Sequence, residues 1–154
     1  MIFLNSFLIF LLGACLGSFA NVCIYRLPKD KQIISGRSLC PKCKKKINWY
    51  DNLPLISFIF LNRKCRNCKK IIFLKYFIVE FITGIAFLLI YLNFENFNTI
   101  IFLSVLFLIL IIIFFIDLEN FIIPDTLNFI IIGLALFKNF LPNFNTSLIH
   151  EINQ

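Results

Sequence analysis

Long apolar stretches dominate the chain and are interrupted by one sizeable polar loop. Residues 1–25 and 96–116 contain no charged side chain. Roughly 20 apolar residues cross the hydrocarbon core of a bilayer as a helix, so each stretch is long enough to span it. Two further apolar segments, 71–94 and 121–140, contain two charges each. The pattern predicts an all-α polytopic membrane protein with about four transmembrane helices.

The polar loop lies between the first two predicted helices. Prolines and a glycine punctuate it, as expected of chain that does not continue a helix. We therefore divide the sequence into a first transmembrane helix at 1–25 and a basic loop at 26–70. Transmembrane helices two to four follow at 71–141, and a short tail follows at 142–154.

Composition and charge place this architecture in a membrane with a defined orientation. Hydrophobic residues make up 60% of the chain, whereas soluble domains are about half apolar. Residues 26–70 hold 13 of the 15 lysines and arginines against two aspartates, a net charge of +11. Because lysine and arginine stay on the cytoplasmic side during insertion, we expect a cytoplasmic loop that contacts anionic lipid and binds no nucleic acid. Asp117, Glu119 and Asp125 then lie on the same side as the loop.

Four of the six cysteines form two pairs within the loop. They are Cys40 with Cys43, and Cys65 with Cys68, each pair spaced as C-x2-C. Paired knuckles of this kind are typical of a four-cysteine zinc site, in which a closed thiolate shell is structural rather than catalytic. Disulfides are the alternative, and the reducing cytoplasm disfavours them. A loop this short cannot bury enough apolar surface to fold alone, which also favours a metal.

The first predicted span contains two further pairs of small residues. Cys15 and Cys23 are interpreted as small buried apolar residues. Gly13 and Gly17 form a G-x-x-x-G pair, which lets another helix approach closely.

Acidic residues near the membrane boundary are the candidates for chemistry. Asp117 follows the third span directly, and Asp125 follows Pro124, where a negative charge in the first turn of a helix suits the helix dipole. These acids can simply end one helix and start the next. Carboxylates at a membrane boundary are also candidates for shared acid/base work on water. Glu80, inside the second span, is a candidate on similar grounds, with helix–helix hydrogen bonding as its structural alternative.

The order of these features resembles the bacterial type 4 prepilin peptidases. The matching motifs occur in the same order as in that family, from about residue 13 to residue 130. Before the second cysteine pair they are Gly17-Ser18-Phe19-Ala20-Asn21-Val22, Tyr25-Arg26-Leu27-Pro28, Ser38 with the first cysteine pair, and Trp49-Tyr50-Asp51-Asn52-Leu53-Pro54. The second cysteine pair follows, then Tyr76 with Glu80 and Thr83-Gly84, and then Asp117-Leu118 with Ile123-Pro124-Asp125.

The resemblance implies a polytopic aspartic protease of the bacterial inner membrane. Such enzymes cut the leader from prepilin-like proteins after a glycine, and many methylate the new N-terminus with S-adenosylmethionine. Asp117 matches the first of the two catalytic aspartates. Cys40, Cys43, Cys65 and Cys68 match the cytoplasmic metal-binding insertion. Asp125 matches a motif acid that is not assigned to catalysis.

The sequence departs from the family where the second catalytic aspartate is expected. That residue lies in a Gly-x-Gly-Asp motif on a later helix, and here no glycine follows Gly133 and no aspartate follows Asp125. We therefore expect a protein shortened at its C-terminus. Two copies could each supply Asp117 across a symmetric interface, whereas Asp125 is a weaker choice of partner. The alternative function is an inactive membrane zinc module that binds leader segments without processing them.

Overall fold

In the part of the chain that the structure describes, four α-helices lie in the apolar segments of the sequence. The structure, a computed structural model, describes residues 2–29, 31–32, 43, 45–46, 54–55, 57, 60–61, 63–122 and 124–138. Within them the helices are α1 (Ile2–Arg26), α2 (Leu74–Asn93), α3 (Phe97–Asn120) and α4 (Asp125–Lys138), and a short 3-10 turn, Leu27–Lys29, follows α1. The predicted all-α fold is confirmed.

Three of the helices are long and apolar enough to cross a membrane: α1 with its 3-10 extension, α2 and α3. The fourth predicted span is confirmed as a helix, but α4 has 14 residues within the described chain, fewer than the roughly 20 that a span requires. Residues 139–140 of that predicted span, and the tail at 142–154, lie outside the described residues.

The end of α3 lies further along the chain than the hydropathy pattern predicts. The helix continues through Asp117 and Glu119 to Asn120, because polar side chains at a membrane boundary can face water without leaving the helix. The Asn120 side chain donates to the Ile116 carbonyl at 3.3 Å. Phe121 then adopts a left-handed conformation (φ 53°, ψ 36°) and its N–H closes the helix on the Asp117 carbonyl at 2.8 Å.

Helices α1 and α2 pack antiparallel at very short range through the predicted G-x-x-x-G pair. A Cβ placed on Gly17 would overlap Thr83 Oγ1 and lie 2.8 Å from Glu80 Cα, and one on Gly13 would lie 2.8 Å from the Thr83 carbonyl oxygen. Further along the same seam, Asn21 donates to the Tyr76 carbonyl at 3.0 Å. Small residues therefore bring the two backbones together, as in other membrane helix pairs.

One apolar core joins all four helices at the end where α1 and α3 finish. Its buried members come from every helix and are Ala20, Cys23, Ile24, Val79, Ile109, Ile111, Ile112, Ile116 and Leu127. Most of the outward faces are apolar as well; Phe3, for example, is 93% exposed and Phe97 is 72% exposed. Such faces suit contact with lipid chains, because a helix that is apolar all round does not face water.

The two cysteines of α1 differ in burial. Cys23 is buried in the core, as predicted, whereas Cys15 is exposed. The prediction of a buried Cys15 was therefore wrong. Its position on α1 faces away from α2, and in a membrane helix an apolar side chain needs no protein partner because lipid is an equally apolar surrounding.

The α1–α2 seam leads to a first prediction. We expect Gly17→Ala to destabilise the protein by about 1–3 kcal/mol, because the added methyl group overpacks the contact with α2. Thermal unfolding of the purified chain in detergent measures the effect. The matched control is Gly133→Ala in α4, where a Cβ meets no atom within 4 Å. Equal stability of the Gly17 variant and wild type would contradict the close helix contact.

Candidate metal centre and acidic site

The functional candidates gather at one end of the helix bundle. Because α1 and α2 are antiparallel and a short turn joins α2 to α3, the end of α1, the start of α2 and the end of α3 lie together. An ion pair between Lys75, in the first turn of α2, and Glu119, in the last turn of α3, ties these two ends directly. The polar loop joins α1 and α2 at the same end.

The second cysteine pair lies in a compact hairpin before α2. Lys64 pairs with Ile71 in an antiparallel bridge, and the N–H of Ile72 donates to the Arg63 carbonyl at 2.7 Å. Inside the hairpin, the Cys65 N–H donates to the Lys70 carbonyl at 3.0 Å. This bridge occupies residues that hydropathy alone assigns to the second span, so α2 begins at Leu74.

The turn of the hairpin brings the side chains of Cys65 and Cys68 close together. The Lys69 N–H donates to the Cys65 carbonyl at 2.9 Å, and Lys69 has a positive φ of 56°. This closed turn brings Cys65 and Cys68, three positions apart, onto the same side of the hairpin. Arg63 (φ 60°) enters the hairpin with a similar left-handed backbone.

Three of the four predicted metal ligands meet in the structure. The Sγ atoms of Cys43, Cys65 and Cys68 all lie within 4.8 Å of one another, with Cys65 buried and the other two half-buried. Tetrahedral coordination at a metal–sulfur distance of about 2.3 Å places sulfur atoms about 3.8 Å apart. The three thiols therefore form a group that can hold a metal ion. Cys40 lies outside the described residues.

Asp117 lies in the last turn of α3 with its carboxylate exposed. The preceding residue, Ile116, is fully buried in the core and fixes the rotation of the helix. Between the residues that the structure describes, no ion pair or side-chain hydrogen bond engages the Asp117 carboxylate. The exposed carboxylate lies at the end of the bundle where α1 finishes and α2 begins.

Asp125 begins α4, as the sequence predicts, and its side chain is exposed in the first helical turn. The turn closes through the Leu127 N–H, which donates to the Pro124 carbonyl at 3.0 Å. Its charge is favourably placed at the positive end of the α4 dipole.

Glu80 is held by two other segments of the chain. Its Oε2 accepts the backbone N–H of Leu55 at 2.9 Å, and its carboxylate also accepts the hydroxyl of Ser18 in α1. The bond to Ser18 is the helix–helix hydrogen bond considered from the sequence. The bond to Leu55, which links α2 to the polar loop, was not predicted, because no side-chain pattern marks a backbone donor.

Asn21 is a second polar group that the sequence did not single out as a site residue. It is 5% exposed, its Nδ2 donates to the Tyr76 carbonyl, and its Oδ1 has no hydrogen-bond partner among the described residues. An asparagine inside an apolar span is the signal that could have found it, since buried amides in membrane helices are costly without a partner.

Comparison with known proteins gives one family and several relatives. The family described as Bacterial Peptidase A24 N-terminal domain matches residues 11–94. A Vibrio cholerae protein named "Prepilin leader peptidase/N-methyltransferase" is 44% identical over 131 residues, which cover 78% of this chain and 51% of that protein. A Myxococcus xanthus protein of the same name is 40% identical over 116 residues, covering 75% of this chain and 35% of that protein.

The matched relatives extend beyond this chain in length. The chain spans about half of the Vibrio cholerae relative and about a third of the Myxococcus xanthus relative. A Dichelobacter nodosus protein with the same name aligns over 95% of this chain at 29% identity and is covered to 62%. No solved structure matches the chain.

The left-handed end of α3 leads to a second prediction. Phe121 is 87% exposed and adopts a positive φ of 53°, which a glycine adopts without steric cost. We expect Phe121→Gly to stabilise the protein by about 0.5–1 kcal/mol in detergent-based thermal unfolding. Phe121→Ala is the control, since it removes the ring and keeps the unfavourable backbone. If both variants shift the unfolding temperature equally, the backbone conformation is not the cause.

Proposed function

The chain belongs to the type 4 prepilin leader peptidase/N-methyltransferase family, and on this premise we propose that it is a membrane aspartic endopeptidase acting on prepilin-like proteins. The proposed reaction is cleavage of the leader peptide after a glycine. The observation that carries it is the position of Asp117, an exposed carboxylate in the last turn of α3, at the bundle end where the polar loop enters. A substrate whose leader lies at that membrane surface can reach it.

The proposed mechanism is hydrolysis by general acid/base catalysis. One carboxylate removes a proton from water, the resulting hydroxide attacks the scissile carbonyl, and a partner carboxyl group protonates the leaving nitrogen. No covalent intermediate with the enzyme forms. Asp117 fills one of the two roles, so a second carboxyl group must approach it.

The contacts of Glu80 and Glu119 make both residues unsuitable as the second carboxyl group. Glu80 is engaged by Leu55 and Ser18, and Glu119 is engaged by Lys75. We therefore propose that the second carboxylate is Asp117 of another copy of the chain, across a symmetric interface. Asp125, at the same end of the bundle, is the weaker choice.

We further propose that the polar loop is a zinc module. Four thiolates from Cys40, Cys43, Cys65 and Cys68 around one zinc ion carry a net charge of about −2. Cationic side chains within and around the second cysteine pair would offset this charge, and they are Arg63, Lys64, Arg66, Lys69 and Lys70. The ion would hold the loop in one conformation, and zinc binding would be coupled to folding.

The proposed location is the bacterial inner membrane, with the basic loop in the cytoplasm. Lysine and arginine remain on that side during insertion, and they attract anionic headgroups. Methylation of the new N-terminus would draw its methyl group from S-adenosylmethionine.

A second candidate function is a non-catalytic membrane zinc module that binds leader segments without cutting them. The observation favouring it is the group formed by the Sγ atoms of Cys43, Cys65 and Cys68, which can hold a metal ion without any catalytic carboxylate. Cleavage of a substrate by the purified chain separates the two candidates.

The metal proposal predicts about one zinc ion per purified chain, because one four-thiolate shell binds one ion. We expect Cys68→Ser to lower the zinc content at least severalfold, and elemental analysis measures it. Cys15→Ser is the matched control, since Cys15 lies on α1 and outside the thiol group. Wild-type protein with intact thiols and no bound metal would reject the zinc module.

The peptidase proposal predicts that the chain, reconstituted in liposomes, cleaves a prepilin-like peptide after glycine. We expect Asp117→Asn to lower the rate by at least about 10³-fold, because the amide can neither activate water nor donate a carboxyl proton. Mass spectrometry identifies the product. Asp125→Asn is the control and should retain activity.

Mixing wild type with the Asp117→Asn variant tests the shared interface. If each active site needs Asp117 from two copies, the activity per wild-type chain falls in proportion to the wild-type fraction. Constant activity per wild-type chain would reject the shared site. No product from wild type alone would reject the peptidase proposal and favour the binding module.

A further inference from the structure

Glu80 stands out because a carboxylate within a membrane helix needs partners to be tolerated. It lies six residues after the start of α2, about 9 Å along the helix axis at 1.5 Å per residue. Ionisable groups at such depth pair with other groups or mark functional sites. In this chain both described donors come from outside α2: the backbone N–H of Leu55 at 2.9 Å and the hydroxyl of Ser18.

The donor on the loop side is held in an unusual backbone conformation. Leu55 has a φ of 60°, a region that bulky L-residues seldom adopt because Cβ approaches the following carbonyl oxygen. The residue before it is Pro54, which restricts the backbone and has no N–H of its own. Such a conformation persists only where the surroundings hold it. The Glu80 carboxylate is the described group that the Leu55 N–H meets.

The donor on the helix side is positioned by the tight α1–α2 seam. Gly17 allows α1 to approach α2 very closely: a Cβ added to Gly17 would lie 2.8 Å from Glu80 Cα. Ser18, the next residue, therefore reaches the Glu80 side chain. Three segments of the chain, namely α1, α2 and the polar loop, converge on one carboxylate.

The bond to Leu55 also closes a segment of the loop. The chain leaves Leu55, forms the hairpin that holds Cys65 and Cys68, and enters α2 at Leu74. At one end, this segment continues directly into α2 at Leu74. At the other end, the Leu55 N–H is hydrogen-bonded to Glu80, in the second turn of the same helix. Closing a loop segment at both ends reduces its conformational freedom.

We propose that Glu80 is a positioning residue whose carboxylate latches the Pro54–Leu55 turn onto α1 and α2. The latch fixes the polar loop, with its cysteine group, at the bundle end that carries Asp117. The latch itself is independent of enzymatic activity, and only its effect on substrate cleavage rests on the proposed function.

Hydrogen exchange on the full metal-loaded chain in liposomes tests the latch. We expect Glu80→Ala to accelerate exchange of the Leu55 amide by on the order of tenfold or more, because that amide loses its acceptor. Glu80→Asp should accelerate it similarly, since it keeps the charge but shortens the side chain by one methylene group. Ile82→Ala, a 40% exposed position two residues away on α2, is the control and should leave Leu55 exchange unchanged.

Leu55→Gly provides a compensating variant. Glycine adopts the left-handed conformation without steric cost, so the Pro54–Leu55 turn should depend less on its hydrogen bond to Glu80. We expect the accelerating effect of Glu80→Ala to shrink severalfold in the Leu55→Gly background. The same double variant should recover part of any cleavage rate that Glu80→Ala loses, which a general loss of helix packing would not allow.

The outcomes separate the latch from the peptidase. Unchanged Leu55 exchange in Glu80→Asp overturns the latch, whatever happens to cleavage. If Glu80→Ala speeds exchange throughout α1 and α2, the protein has unfolded, and Glu80→Asp then decides the question. If wild type cleaves no peptide but Leu55 exchange responds as expected, the latch stands and the proposed peptidase function fails.

Discussion

The close contact of Gly17 with α2 sets the register of the two helices, and this register positions the polar side chains at the end of the bundle where the loop joins them. Within a bilayer, apolar burial gives helices little reason to associate, so packing and hydrogen bonds decide which faces meet. Here the absence of a side chain on Gly17 lets α1 approach Thr83 and the backbone of Glu80. The register that results places Ser18 beside Glu80 and Asn21 beside the Tyr76 carbonyl. Displacing the seam by one helical turn would separate both polar pairs.

The same register connects helix packing to the exposed aspartate. Core residues from all four helices meet around Ile116, which is fully buried. Successive residues of a helix point about 100° apart, so burial of Ile116 directs the next side chain, Asp117, away from the core. The left-handed Phe121 ends the helix one turn later. The position of the carboxylate therefore follows from the apolar packing around Ile116.

Sequence reasoning was most successful where a single physical constraint dominates. Bilayer thickness fixes the length of apolar segments, so the helices were predictable, and the spacing of the knuckles anticipated the meeting of Cys43, Cys65 and Cys68. It failed where tertiary contacts decide. Cys15 is exposed because lipid and protein interior are equally apolar, so hydropathy cannot distinguish them. The bond from Leu55 to Glu80 was invisible because its donor is backbone, which every residue except proline has.

The acidic residues at this end of the bundle fall into two groups, those held by a contact with another segment and those that are exposed, and their surroundings rather than their residue type decide the group. Glu80 and Glu119 each accept a donor from another segment, so their carboxylates hold the architecture together. Asp117 and Asp125 are exposed at the ends of their helices. An acid that holds segments together cannot exchange protons with a substrate without weakening the contact it maintains. Among the residues that the structure describes, no contact of this kind holds Asp117 or Asp125, and the buried Ile116 turns Asp117 away from the core. The proposed acid/base role is therefore assigned to Asp117, because proton exchange there breaks no contact between these described segments.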